Sequence, residues 1–274
     1  TKLFTFFVPV PGIKADNHEV DFENHYAEED IVHLDEKELR TELENQPCCA
    51  TNEDGTENGD PLNLVLFGSP EDISSDYVRR GWLPAEQTYS TAVWKKIKSF
   101  LFGTRYRYSP VSPLYLSKRQ QDIAGQKPRH TVHERNHLRM WLSPMRYQGK
   151  PVWIGQISRD IGVRFTFKTW PPVTHKIDPD IDEAMYALME DLVYSQQLAK
   201  FGWVKGVGKA IRSKPRHNLT GDPYFTAGLR AVLLFDRRPY SFVEIQRFDW
   251  EESAVSTKLR RLTIDEQQEF DQRS

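Results

Sequence analysis

His133, Arg135, His137 and Arg139 alternate along RHTVHERNHLRMW, and Asp160 follows in PVWIGQISRD. Imidazole exchanges a proton near neutral pH. Guanidinium grips phosphate or carboxylate through paired N–H donors, and a carboxylate orients a neighbouring imidazole. Such a set suits a hydrolase of a phosphorylated or otherwise anionic substrate. His137 would be acid, base or nucleophile and Asp160 its orienting partner, with His133 or His175 as the second proton-transfer group. Arg135 and Arg139 would hold the anion, with Arg105 and Arg159 as further substrate-binding candidates. The same face could serve a non-enzymatic module that binds a lipid head group, a glycan or a partner carboxylate. A hydrogen-bonded polar sheet face that holds loops in place would use these residues too.

Metal binding is a further option. His133, His137, His175, Asp178 and Asp180 mix imidazole and carboxylate donors, which suit a divalent zinc, manganese or iron ion. His133-Glu134-Arg135-Asn136-His137 matches the H-E-x-x-H string formally. A zinc protease needs that string on a helix. On a strand the two histidines lie about 13 Å apart, too far to share one ion easily.

The alternation itself argues for strand. Residues 131, 133, 135, 137, 139 and 141 share one side, and Leu138, Met140 and Leu142 take the other. Gln148-Gly149 then predicts a two-residue turn into PVWIGQIS, making a long β-hairpin. A turn centred there opposes Arg139 to Ser158 and His137 to Asp160. A slip of one residue would swap the faces, and Ser143-Pro144 is a point where the first strand can be interrupted.

Around the hairpin, 274 residues suffice to bury a full core. The net charge of -2 gives no general signal for nucleic acid or an acidic membrane. It conceals an asymmetry: residues 16–60 carry sixteen acids against Lys37 and Arg40, so the remainder is basic. That acidic arm either shields a basic site or is a solubilising insertion. Cys48 and Cys49 are adjacent, a spacing that seldom closes into a disulfide, and they exclude both a disulfide framework and a cysteine zinc site. No 18-residue apolar segment is present, and LFTFFVPV is too short to span a bilayer.

In chain order, Thr1–Ile13 reads as an opening strand and Asp35–Glu44 as a short helix, with TNEDGTENGDP as loop. Leu62–Phe67 is an apolar strand. Gly68-Ser69-Pro70 turns it into a helix ending near Arg80, as a structural turn or a phosphate contact. Thr91–Leu101 is a second helix. Residues 102–119 mix aromatics with arginines and prolines, a packed loop or a base-stacking surface. A helix runs from Asp180 or Asp182 through Leu198. Residues 201–210 and 228–235 are strand-like, Asn218-Leu219-Thr220 is a formal glycosylation acceptor, and Asp265–Asp271 is a possible tail helix. The division expected is a segment of residues 1–60, a core of 61–248 and a charged tail of 249–274. This order predicts an α/β or α+β fold with a mixed, partly antiparallel sheet, flanking helices and a long central β-hairpin, in preference to a doubly wound sheet.

Several words of the sequence, in order, resemble the LssY C-terminal domain family. They are PLNLVLFGS, RRGW, SPVSPLYL, HERNHLRMW, PVWIGQISRDIG and THKIDPDID, spread from Pro61 to about Phe235. The resemblance implies a soluble domain beside membrane segments, sometimes joined to phosphatidic-acid-phosphatase-like or DedA-like membrane domains. It thereby points to a membrane tether outside this chain and to a lipid-linked anionic substrate or ligand. It transfers no catalytic mechanism, so the site assignment rests on side-chain chemistry.

Overall fold

The computed structural model describes residues 25–84, 112–128, 134–165 and 173–253. The expected elements at Thr1–Ile13, Thr91–Leu101 and Asp265–Asp271, and most of the aromatic-basic stretch, lie outside the described residues. The elements in order are β1 (Val32–Leu34), α1 (Glu36–Asn45), β2 (Cys49–Thr51), β3 (Asn58–Pro61), β4 (Leu64–Phe67), α2 (Pro70–Arg79) and β5 (Leu83–Pro84). Next come β6 (Tyr115–Leu116), β7 (Arg119–Gln120), β8 (Ile123–Pro128), β9 (Glu134–Tyr147), β10 (Lys150–Phe165), β11 (Val173–Ile177) and α3 (Ile181–Val193). The chain continues through β12 (Leu198–Lys205), β13 (Arg216–His217), β14 (Pro223–Tyr224), β15 (Leu229–Phe235) and β16 (Gln246–Arg247).

The described residues form a 10-stranded mixed sheet in the order β16-β12-β15-β4-β10-β9-β8-β5, with β1 beside β9 and β11 beside β10. β15 runs parallel to β4, while β9, β10 and β8 are antiparallel. Both faces are covered. Leu138, Met140, Trp153 and Ile157 pack with Leu188 and Leu192 of α3 on one side. Trp141, Val152 and Ile154 pack with Leu39 and Leu43 of α1 on the other. Two-sided burial explains why β4 is apolar at every position rather than alternating.

Local signals account for the helices. Asp35 caps α1 by accepting from the backbone of Lys37 and Glu38, and Glu38 returns a bond from the Asp35 N–H, closing a capping box. Leu39 and Leu43, four residues apart, then face the core together. Ser69 Oγ accepts from Asp72 N at the start of α2. Gly68 donates to Pro151 O and accepts from Trp153 Nε1, so this turn is a structural joint. α3 stops at Val193 rather than reaching Leu198, because the chain turns at Ser195-Gln196, with Gln196 at positive φ, to enter β12.

Structure also begins before Pro61. The segment read as loop supplies β3 and the last residue of β2, which form a small sheet with β6 and β7. Cys48 and Cys49 are joined as a vicinal disulfide, against the expectation for neighbours. The bond spans a single peptide unit, so it ties no distant elements together. Arg230, fully buried, holds this region down by donating to Leu62 O, Gln46 O and Pro47 O.

The hairpin turns at Gln148-Gly149, both at positive φ as the two-residue turn requires. Next to the turn the expected register holds, with Lys150 opposite Tyr147 and Pro151 opposite Arg146. Beyond it Trp153 lies opposite Leu142, so Ser143, Pro144 and Met145 together face Val152. Pro144 lacks a ladder N–H, and Ser143 Oγ donates to Val152 O at 2.7 Å in place of the backbone. This bulge moves the register by two residues. Arg139 opposes Gln156, His137 opposes Ser158 and Arg135 opposes Asp160, which corrects the pairings expected from the turn. An even shift leaves each side chain on its expected face.

Asn63 continues the ladder where β4 ends. Its side chain donates to Ile157 O at 3.0 Å and accepts from Ile157 N at 2.9 Å, wholly buried. Asn63→Leu strips both partners from a buried peptide, so a loss of about 2–4 kcal/mol is expected. Urea denaturation checks this; a loss below about 0.5 kcal/mol, within the range of an ordinary surface change, contradicts the role.

Candidate functional site

The far half of the hairpin carries a polar layer on the face that Trp141 and Ile154 occupy nearer the turn. Strand pairing sets it out in rows: Ala124, Arg139 and Gln156, then Gln126, His137 and Ser158, then Pro128, Arg135 and Asp160. Arg135, His137, Arg139, Gln126, Gln156, Ser158 and Asp160 are all buried. β11 adds His175 from the other edge of β10.

Asp160 is the hub. Its Oδ2 lies 2.8 Å from His137 Nε2, 3.3 Å from His175 Nδ1 and 3.4 Å from Arg135 Nε. The His137 approach is close but poorly aligned for a ring N–H bond, so it is chiefly an electrostatic contact. Arg135 also donates Nη1 to Gln126 Oε1 at 3.0 Å and meets His175 Nε2 through Nη2 at 2.9 Å. A guanidinium only donates, so His175 Nε2 accepts. A ring proton on His175 then sits on Nδ1, on the side of Asp160.

The second half of the layer centres on Arg139. Its Nη1 donates to Gln156 Oε1 at 2.8 Å, and its Nε donates to Ser112 O at 3.1 Å. This fixes the Gln156 amide so that Nε2 donates to Asp60 Oδ2 at 3.2 Å. Asn218 Nδ2 donates to Asp60 Oδ1 at 3.0 Å. Asp60 lies 3.9 Å from Arg139, so an acid of the N-terminal segment reaches the basic face.

Burial moves these groups in different directions. It pushes His137 down to about 4, with Arg135 and Arg139 adding to the effect and Asp160 opposing it. His137 is therefore neutral at neutral pH. Burial works against ionisation of Asp160, but His137, His175 and Arg135 outweigh it and hold the carboxyl well below the usual range. Of these, Arg135 is the cation that persists when His137 is neutral. Asp60 goes the other way, raised by burial and by the charges of Asp160 and Asp222 against Arg139 and Asn218. Two carboxyl groups of one layer are thus pushed apart, a pattern found where acid and base roles are divided.

Of the residues chosen from sequence, His137, Asp160, His175, Arg135 and Arg139 come together. Arg159 does not. It sits on the opposite face and pairs with Glu183 at 2.6 Å and Asp178 at 3.6 Å. Asp178 also accepts from Asp180 N, and Asp180 faces Arg212 at 4.0 Å. His133 and Arg105 lie outside the described residues. Among the described residues no group of three or more His, Cys, Asp or Glu is placed to hold a metal ion. The H-E-x-x-H string is not helical where described, since Glu134 opens β9 and His137 lies within it.

Sequence reasoning gave no role in the site to Asp60, Gln126, Gln156 or Asn218. Asp60 comes from β3 and Asn218 from the connection between β13 and β14, both distant in sequence from the hairpin, and neither carries a local motif for this role. Asn218, read as a glycosylation acceptor, instead uses Nδ2 on Asp60 and Oδ1 on Thr220 N and Asp222 N. No helix among the described residues is long and apolar enough to cross a membrane.

A buried neutral histidine makes stability depend on pH. His137 takes a proton near its ordinary value in the unfolded chain but only near 4 in the folded one. Between those values the unfolded state binds more protons, so stability falls as pH drops through this window. The His137 share is about 2–3 kcal/mol from pH 7 to about 4.5. His137→Gln should flatten that part of the profile relative to the parent protein, a difference in which the opposite contribution of Asp60 cancels. Denaturant titrations across the window check it, and parallel profiles would contradict a neutral, buried ring.

Comparison with known proteins bears on the same segment. No curated protein and no solved structure matches the chain. The family model described as LssY C-terminus matches residues 40–229, a span that contains Asp60, the hairpin, His175 and Asn218. The chain therefore belongs to the LssY C-terminal family.

Proposed function

We propose that the buried layer is a hydrolytic site for a phosphorylated or otherwise anionic substrate. The observation that carries the reading is the close set of His137, Asp160, His175 and Arg135, with Arg139 on the next row. His137, neutral at neutral pH, has a lone pair for a proton or an electrophile. Asp160 supports the imidazolium that forms when His137 takes a proton. His175 is the more open imidazole and serves as the second proton-transfer group. Arg139 and Arg135 stabilise negative charge as it develops on the substrate. The membrane-linked setting that the family resemblance implies supports a lipid-linked substrate.

A second reading is a binding module without turnover, using the same face for a lipid head group, a glycan or a carboxylate. It is favoured by the acceptors on the Nη1 atoms of the two arginines: Gln126 Oε1 and Gln156 Oε1 are neutral, as is Ser112 O on Arg139 Nε. An anionic oxygen makes a stronger bond to guanidinium than these do and can replace them.

Turnover of p-nitrophenyl phosphate and bis-p-nitrophenyl phosphate separates the readings. With a confirmed substrate, His137→Ala should lower kcat by about 100-fold or more with an unchanged circular dichroism spectrum. An unchanged kcat would remove His137 from the chemistry. Saturable binding of the same esters without product would favour the binding module.

A further inference from the structure

The chain is acidic overall, yet from Lys200 to Gly221 it carries Lys200, Lys205, Lys209, Arg212, Lys214 and Arg216 and no Asp or Glu. Three of these charges, Lys209, Arg212 and Lys214, sit on the connection from β12 to β13. Lys205, Lys209, Arg212 and Lys214 are exposed. Glu251 pairs with Lys205 and Asp180 faces Arg212, whereas Lys209 and Lys214 make no ion pair among the described residues. Ile211 lies between these charges and is 50% exposed.

The connection is held in a defined shape. Ala210 and Thr226 exchange both backbone bonds at 3.0 Å, and Lys214 N donates to Ile211 O at 3.0 Å to close a turn. Arg216 Nη1 donates to Val207 O, and the Arg212 guanidinium stacks over Phe225 at 4.3 Å. A tight turn therefore displays an apolar side chain among lysines and arginines.

We propose that this turn is a docking surface for an anionic lipid membrane. The cations are drawn to acidic head groups, and Ile211 has a place to go at the boundary of the acyl region. Nucleic acid fits less well. Single-stranded binding relies on open aromatic platforms; no Phe, Trp or Tyr occurs between the buried Trp203 and Tyr224, and the ring of the half-buried Phe225 is covered by the Arg212 guanidinium. A phosphate backbone also offers nothing to an exposed isoleucine. The turn leads directly into Asn218, which bonds Asp60, so docking would bring the buried polar layer close to the lipid surface. The docking surface stands on its own observations and does not depend on the site being catalytic.

The test is co-sedimentation with vesicles of phosphatidylcholine alone or with roughly one-third phosphatidylserine, at low and high salt. The protein should bind the acidic vesicles, release at high salt and ignore the neutral ones. Lys209→Glu with Lys214→Glu should weaken binding by about tenfold or more. Ile211→Asp should weaken it as well, and both variants should keep the parent spectrum and melting temperature. As a milder pair, Lys209→Ala with Lys214→Ala covers the case in which charge reversal disturbs folding. Failure to bind acidic vesicles, equal binding to neutral ones, or variants that bind like the parent would each overturn the proposal. Tighter binding to a short nucleic-acid duplex than to the acidic vesicles at equal salt would overturn the choice of partner.

Discussion

A carboxylate removed from water must be compensated where it sits, and the candidate site follows from how this chain meets that demand at Asp160. Arg135 supplies the lasting positive charge across the β9–β10 pair. His137 comes from the neighbouring row and His175 from β11. Removing Arg135 would leave a buried charge uncompensated, a far larger penalty than the loss of an exposed ion pair. The arrangement ties three strands to one oxygen. It also keeps His137 close to a negative charge while burial keeps the ring neutral. A ring in that state is poised to accept a proton only when something in the site changes.

Much of this was legible in the residues. Alternation along β9 gave both faces, because a strand buried on two sides still separates polar from apolar at a period of two. The short helix from Asp35 and the helix after Gly68-Ser69-Pro70 were both readable. The hairpin turn was readable from Gln148-Gly149. The register farther out was not, because it depends on how a strand accommodates Pro144 in the presence of Ser143. Two residues were absorbed there, and only the even number preserved the expected faces. Arg159 illustrates the same rule from the other side. One position away from Asp160, it points to the opposite face and belongs to a different ion-pair group.

What could not be read were long-range partners. Asp60 lies in a segment dominated by acids, and nothing nearby distinguishes it from the others. Its place beside Gln156 and Asn218 is created by the packing of β3 and of the loop before β14 against β10. Arg230 is similarly opaque in sequence, an arginine inside an apolar strand. In the fold it supplies donors to three backbone carbonyls and secures the segment that leads into the vicinal disulfide. The acidic segment itself joins the packed body from β1 onward, where β1 pairs with β9.

The central claim is that His137 is a neutral imidazole held in a buried unit with Asp160, His175 and Arg135. Titration of the histidine ring signals by NMR tests it most directly. The account predicts that His137 stays neutral through the physiological range and takes its proton only near pH 4. A midpoint at the ordinary histidine value, near 6.5, would show a solvated ring and contradict the buried unit.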